Sequence, residues 1–156
     1  MFHSIISYGV HLWGNSSKAK EIFLLQKKGL RRIVNASMTT SCKPVFKRLG
    51  ILTLPSLYIY EVLKYTKRYE KKFICNKDIH EHNTRKKNDM HPNKQLLSIS
   101  QNDLYHVGPI FFNVLSRELK QLPYIKFKKQ LKSKLVKCCF YNIDDYLRYG
   151  INFIQN

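Results

Sequence analysis

The sequence predicts a mostly α-helical protein built as two small helical lobes joined by a basic, poorly ordered linker. Three observations carry this. Apolar residues recur at three- and four-residue spacings over separate stretches, Pro and Gly stand where helices would start and stop, and the periodicity vanishes between Cys75 and His106. The expected organisation is an N-terminal helical lobe over 1–74, the linker over 75–105 and a C-terminal basic helical segment over 106–156. At 156 residues and 44% hydrophobic content the chain carries enough apolar material for one real core.

Taken in order, Ile5 to Trp13 is apolar and uncharged apart from His11, and it reads as a short helix or, at this length, a buried strand. Ser17 to Val34 contains no proline and opens with the capping residues Asn15, Ser16 and Ser17. It places Ile22, Leu25, Gln26, Gly29 and Ile33 on one helical face, flanked by Phe23 and Leu30, while Lys20, Lys27, Lys28 and Arg31 take the opposite face with Arg32 at its border. Pro44 suits a first helical turn and Gly50 a stop, which predicts a helix from Lys43 to Leu49. Thr53 is the expected N-cap of a longer helix reaching about Lys72, with Pro55 in its first turn. Tyr58, Val62, Tyr65, Tyr69 and Phe73 form its core stripe, and Lys64, Lys67, Arg68, Lys71 and Lys72 its cationic back.

Asn, His, Lys, Asp and Ser dominate the linker, which Pro92 interrupts and in which Leu96, Leu97 and Ile99 form the apolar cluster. Order is expected to return after Gly108-Pro109, with a stripe of Phe111, Phe112, Leu115, Leu119 and Leu122 ending at Pro123. Phe127, Leu131, Leu135 and Cys138 then line a narrow stripe on a helix whose six lysines between Lys126 and Lys137 predict solvation nearly all round. Asn142 to Asp145 has the character of a capping box and starts a last short helix, ended by Gly150.

Twenty-eight Lys and Arg against ten Asp and Glu give a net charge of +18, a field that attracts polyanions. Nucleic acid is therefore the first partner expected: RNA, DNA or an RNA/DNA hybrid. The charge is spread over several helices, no lipidation signal is present, and no run approaches the roughly 18 apolar residues a bilayer span requires, so no membrane partner is expected. The start of the chain lacks a basic segment followed by a cleavage site, which predicts an intracellular protein of nucleus or cytoplasm. Cys42, Cys75, Cys138 and Cys139 do not form a disulfide framework and are expected as reduced thiols, with one of the adjacent pair in the core and the other exposed.

Candidate chemistry is sparse. Tyr141-Asn-Ile-Asp144-Asp145 comes nearest to a pair of metal-binding carboxylates, which two-metal catalysis requires. Its acids are better explained by the start of a helix, whose dipole favours them. Cys75, His80, His82 and His91 supply zinc-type ligands, yet their spacing matches no zinc-finger pattern. No phosphate loop, dinucleotide fingerprint or nucleophile elbow occurs, so no cofactor, no metal and no catalytic residue is expected. Trp13 and most tyrosines read as packing groups. The basic faces remain: Ser17 to Val34 holds six cations and one acid, and Arg117 to Lys137 holds eight and one. Such a bias repels itself unless an anion relieves it. The candidate phosphate contacts are Lys20, Lys27, Lys28, Arg31, Arg32, Lys64, Lys67, Arg68, Lys71, Lys128, Lys129 and Lys132. Arg31 and Arg32 are suited to bidentate hydrogen bonds, and the lysines to point-charge contacts.

Several motifs extend the reading: Tyr8-Gly-x-x-x-Trp13-Gly14, Leu25-Gln26-Lys27 with Arg31-Arg32-Ile33, Ser41-Cys42-x-Pro44-x-Phe46, and Leu49-Gly50-Ile-Leu-Thr-Leu-Pro55, with His82-Asn-Thr-Arg85 and the lysine-rich tail as weaker additions. Together they resemble the region after the palm in non-LTR (jockey-like, LINE-type) retrotransposon reverse transcriptases. The resemblance implies a thumb-like lobe and tail of an RNA-directed DNA polymerase, gripping the template and primer backbone without regard to sequence. It also implies that the chain begins after the catalytic carboxylates and is no enzyme, and that a reverse transcriptase palm domain is a possible partner. A helical protein-interaction fragment and a functionless retroelement relic are the alternatives.

Overall fold

A computed structural model describes residues 2–79, 86–92 and 103–152. The protein is mostly α-helical, with no strand among the described residues. The helices are α1 (Phe2–Ser7), α2 (Val10–Trp13), α3 (Ala19–Ile33), α4 (Lys43–Leu49), α5 (Leu54–Arg68), α6 (Leu104–Asn113), α7 (Arg117–Lys120), α8 (Tyr124–Cys138) and α9 (Ile143–Tyr149). Helix α5 is the hub, packing against α2, α3, α6, α8 and α9. Residues from both sides of the linker enter one apolar cluster around it, from Ile6 and Val10 to Phe140 and Tyr146.

The start of α5 shows how the sequence fixes this hub. A helix begins with N–H groups that have no partner inside it. Here Leu54 N–H donates to Gln26 Oε1 at 2.9 Å, Pro55 has no N–H, Ser56 N–H reaches Thr53 Oγ1 at 3.3 Å, and Leu57 N–H bonds to the Thr53 carbonyl. Gln26 also donates through Nε2 to the Leu52 carbonyl at 3.0 Å, and Thr53 Oγ1 donates to the Phe140 carbonyl. Two buried polar side chains thus tie α3, α5 and the turn after α8 together. The expected cap Thr53 and the expected stops Gly50 and Gly150 stand where the periodicity placed them, both glycines with positive φ.

Helix α6 crosses α5 closely because residue 108 has no side chain: a Cβ there would lie 2.5 Å from Thr66 Oγ1. This helix also differs from the expectation of order after Gly108-Pro109, since it starts at Leu104, capped by Asp103, and carries Pro109 inside. The Pro removes one internal bond, and burial of Val107, Phe111 and Phe112 offsets that loss. The Phe111 to Leu122 stripe is broken at Val114 to Ser116, where α6 ends and α7 begins.

Three further expectations change. Leu25 and Ile33 of α3 are exposed, and the buried line is Phe23, Gln26 and Leu30, so the helix is rolled towards the residues read as flanks. Helix α8 is not solvated nearly all round: Phe127, Leu131 and Leu135 are fully buried beside α5, while the lysines flanking this stripe extend their charged ends towards water. Cys138 and Cys139 are both buried, because Cys139 caps α8 at φ 51 and this left-handed turn brings the second thiol inward. The four cysteines are free thiols.

The linker has structure of its own over its described parts. Residues 76–78 form a 3-10 turn, Cys75 pairs with Met90 in an isolated bridge, and His91 N–H bonds to the Ile74 carbonyl. Met90 is buried, and the Asn113 side chain grips its backbone on both sides, accepting from its N–H at 3.0 Å and donating to its carbonyl at 2.9 Å. The His82-Asn-Thr-Arg85 patch and the Leu96, Leu97 and Ile99 cluster lie outside the described residues.

Candidate nucleic-acid interface

The twelve expected phosphate contacts fall into two classes. Lys20, Lys28, Arg32, Arg68, Lys71, Lys129 and Lys132 are exposed. The other five are engaged by the fold. Arg31 Nε donates to the Thr40 carbonyl at 3.0 Å, which fixes the guanidinium beside the turn after α3. Lys27 lies over the rings of Phe23 and Tyr141, and Lys128 over that of Tyr124. Lys64 pairs with Glu61 and lies over Tyr60. Lys67 is the clearest departure, because its side chain is only 12% exposed and its ammonium donates to Glu70 Oε2 and to the Lys120 carbonyl at 2.6 Å, with Phe112 and Phe127 beneath it. A lysine held in this way stabilises the junction of α5 with α7 and is not offered to a phosphate.

Two groupings emerge, on opposite flanks of the buried stripe of α8. On one, Lys64 lies over Tyr60 and Lys128 over Tyr124, and the hydroxyl of Tyr60 is raised by burial, then by Glu61 and Tyr124. On the other, Tyr141 gathers Lys27 of α3 and Lys43 of α4 over its ring, with Arg31 close enough to act on its hydroxyl, and Lys47 and Lys134 both act on the Cys138 thiol. Lys43 and Lys47 were absent from the sequence-derived set, although α4, Lys-Pro-Val-Phe-Lys-Arg-Leu, holds three cations and no acid. That bias was the available signal. Acids neutralise little of the charge: four ion pairs form among the described residues, three of them between neighbours on one helical turn.

The chemistry beneath this surface is that of packing. Burial first, then the neighbouring thiols, pushes the Tyr141 hydroxyl up to about 12, and its oxygen is buried without a hydrogen-bond partner. Burial also raises Cys138, and Cys139 to about 11, which holds both as protonated thiols at neutral pH. Asp144 and Asp145 occupy the first turn of α9, where Asn142 Oδ1 accepts from Asp145 N–H at 2.7 Å, so these acids stand at a capped helix start as expected. No cluster of three or more metal-type ligands exists among the described residues. Of the zinc-type side chains weighed in the sequence, His80 and His82 lie outside those residues, and His91 Nδ1 is 2.9 Å from Asn76 Oδ1. No helix among the described residues is long and apolar enough to cross a membrane.

Beside the Tyr141 grouping, α3, α6 and α9 enclose a cleft of about 550 Å³ with Lys20 and Asp144 among its walls. No protein-family model matches the chain, and neither a curated protein nor a solved structure matches it.

Proposed function

We propose that this protein is a thumb-like and tail region of the non-LTR retrotransposon reverse transcriptase type, binding nucleic-acid backbone without sequence preference and without catalysis of its own. The observation that carries the binding half is unneutralised positive charge: +18 in all, with four ion pairs among the described residues and three helices bringing cations to Tyr141 and Cys138. The ancestry half rests on the sequence motifs around Trp13, Arg31-Arg32, Cys42-x-Pro44 and Leu49 to Pro55. RNA, DNA and RNA/DNA hybrids all present the phosphate spacing such a surface meets, and the affinity falls with salt by ~0.7 to 0.9 log units per contact for each log unit of salt. A gel-shift series on hybrid and duplex over rising salt tests this. No salt-dependent complex near physiological ionic strength refutes the binding half, and an in-frame polymerase core in the genomic sequence preceding Met1 tests the ancestry half.

Exposed apolar residues at the N-terminal end favour a second reading, docking on another polypeptide such as a reverse transcriptase palm. Tyr8 is 86% exposed and Leu12 77%, with Ile5, Leu25 and Ile33 also open. Light scattering decides between them: a strict monomer that retains no partner removes the docking role.

A further inference from the structure

The cleft near Tyr141 has the composition of a ligand site. Its volume lies within the range of about 300 to 1,000 Å³ typical of small-molecule pockets, and its walls combine apolar groups with polar ones, Asn15, Ser16, His106 and Asn142 among them. Ile110, Ile143 and Leu147 present partly open apolar surface, backed by the buried rings of Phe23 and Phe111. Phe23 meets Tyr141 edge to face at 5.1 Å, and Phe111 is held between Tyr58 and Tyr146 at 5.9 and 5.4 Å. At one wall stands Lys20, exposed and on the same helical face as Lys27 and Arg31, which follow it by seven and eleven residues, about 10 and 16 Å along the axis. At another stands Asp144, exposed at the start of α9. A cleft whose lining joins apolar side chains to one cation and one carboxylate acceptor fits an aromatic heterocycle that bears both an anionic tail and an amino donor.

We infer that this cleft takes one unstacked nucleotide of a bound single strand, its base against Ile110 and Leu147, its phosphate at Lys20, and the rest of the strand running along α3 towards Arg31. The inference deepens the proposed nucleic-acid role and rests on it for the strand, whereas the cleft itself stands on its own walls. Asp144 accepts from an exocyclic amino group, so cytosine, which has one, is held better than thymine or uracil, which have none. Base preference at one position is thereby added to a surface that is otherwise indifferent to sequence.

The test uses the full chain with four probes: labelled single-stranded oligo(dC), labelled oligo(dT), a duplex, and free CMP. Leu147→Trp and Ile110→Trp fill the cleft and leave every cation in place; Leu147 lies at the open rim, and a melt verifies the fold of each. Filling is expected to weaken oligo(dC) binding by about 5- to 100-fold, the scale of one stacked base, with duplex binding unchanged. Asp144→Asn is expected to bring oligo(dC) and oligo(dT) to within about twofold. A measurement on the unaltered chain guards against misfolded variants: an oligonucleotide of abasic sites, equal in charge, is expected to bind more weakly by the same factor. Equal affinity of the abasic and dC strands overturns the inference and leaves the backbone reading standing. Should no oligonucleotide bind at all, the backbone reading falls, and the CMP arm decides the cleft: NMR shifts confined to Ile110, Ile143 and Leu147 sustain it, and their absence overturns it.

Discussion

Replacing Gln26 by Leu separates the polar tie from the volume it fills. Gln26 is 2% exposed and makes two hydrogen bonds, from Nε2 to the Leu52 carbonyl and from Leu54 N–H to Oε1. Leu has nearly the same bulk, so no cavity opens, but one buried acceptor and one buried donor lose their partners. Each stranded group costs about 1 to 3 kcal/mol, and the extra apolar burial of Leu offsets ~1 kcal/mol of the sum. The net loss is therefore roughly 1 to 5 kcal/mol. For a domain of this size 1 kcal/mol moves the melting temperature by about 2 to 4 °C, so a drop on the order of 10 °C is expected in thermal melts followed by circular dichroism. Urea titration checks that the slope is unchanged and that the loss lies in the folded state. A Gln26→Leu loss below about 0.5 kcal/mol, the scale of ordinary surface changes, would refute the claim that this side chain supports the start of α5.

Four other expectations follow from the structure. Gly108→Ala places a methyl against Thr66 Oγ1 at the crossing of α5 and α6, and urea unfolding should show a loss of about 1 to 3 kcal/mol. Lys67→Met keeps the aliphatic stem but strands the Lys120 carbonyl, so stability falls by about 1 to 3 kcal/mol with oligonucleotide affinity unchanged. Lys28→Gln with Arg32→Gln does the reverse: the melt is unaffected and the salt slope flattens by ~1.4 to 1.8 if both cations meet phosphates. Finally, stability declines in alkali. Cys138, Cys139, Tyr58 and Tyr141 all have folded values above their ordinary ones, Cys139 at about 11 and both tyrosines at about 12, with burial as the main cause. For such acids the native state binds more protons than the unfolded one, so stability is intact below about pH 9 and lost as pH rises through 9 to 12. The shift of Tyr58, the most deeply buried of the four, is worth on the order of 2 to 3 kcal/mol, and solvent screening makes the others smaller. Tyrosinate absorbance that rises in step with loss of helical signal confirms this, and full tyrosine ionisation in a still-folded chain refutes it.

Helix existence and most boundaries were legible because they depend on near neighbours, although α3 starts after Lys18 without a side-chain cap and not on Asn15, Ser16 or Ser17. Thr53 with Pro55, Pro44 with Gly50, and Asn142 with Asp145 each announce a boundary within a few residues, and the backbone obeys them. The roll of α3 was not legible, because Leu25 and Phe23 are equally apolar and only the position of α5 and Phe46 selects which is buried. The burial of α8 was masked by its lysines, whose long stems let a helix be cationic at its rim and dry at its centre. For the binding surface, the sign of the charge on α3, α5 and α8 was plain, but occupation by carbonyls and rings was not. Lys67 looks like any other lysine until Lys120 folds back over it from more than fifty residues away.

Among the described residues nine cations rest on aromatic faces, Lys72 and Lys120 among them beside those already described. Such a ring attracts an ammonium by ~0.5 to 2 kcal/mol without cancelling its charge. A carboxylate in the same place would quench the field that a polyanion feels at a distance, whereas phenol and benzene rings steady the side chain and leave that field intact. The abundance of tyrosine and the shortage of acids are then two sides of one composition. Exchanging Tyr60, Tyr69 or Tyr124 for leucine would keep the greasy contact and loosen the cation that lies over the ring.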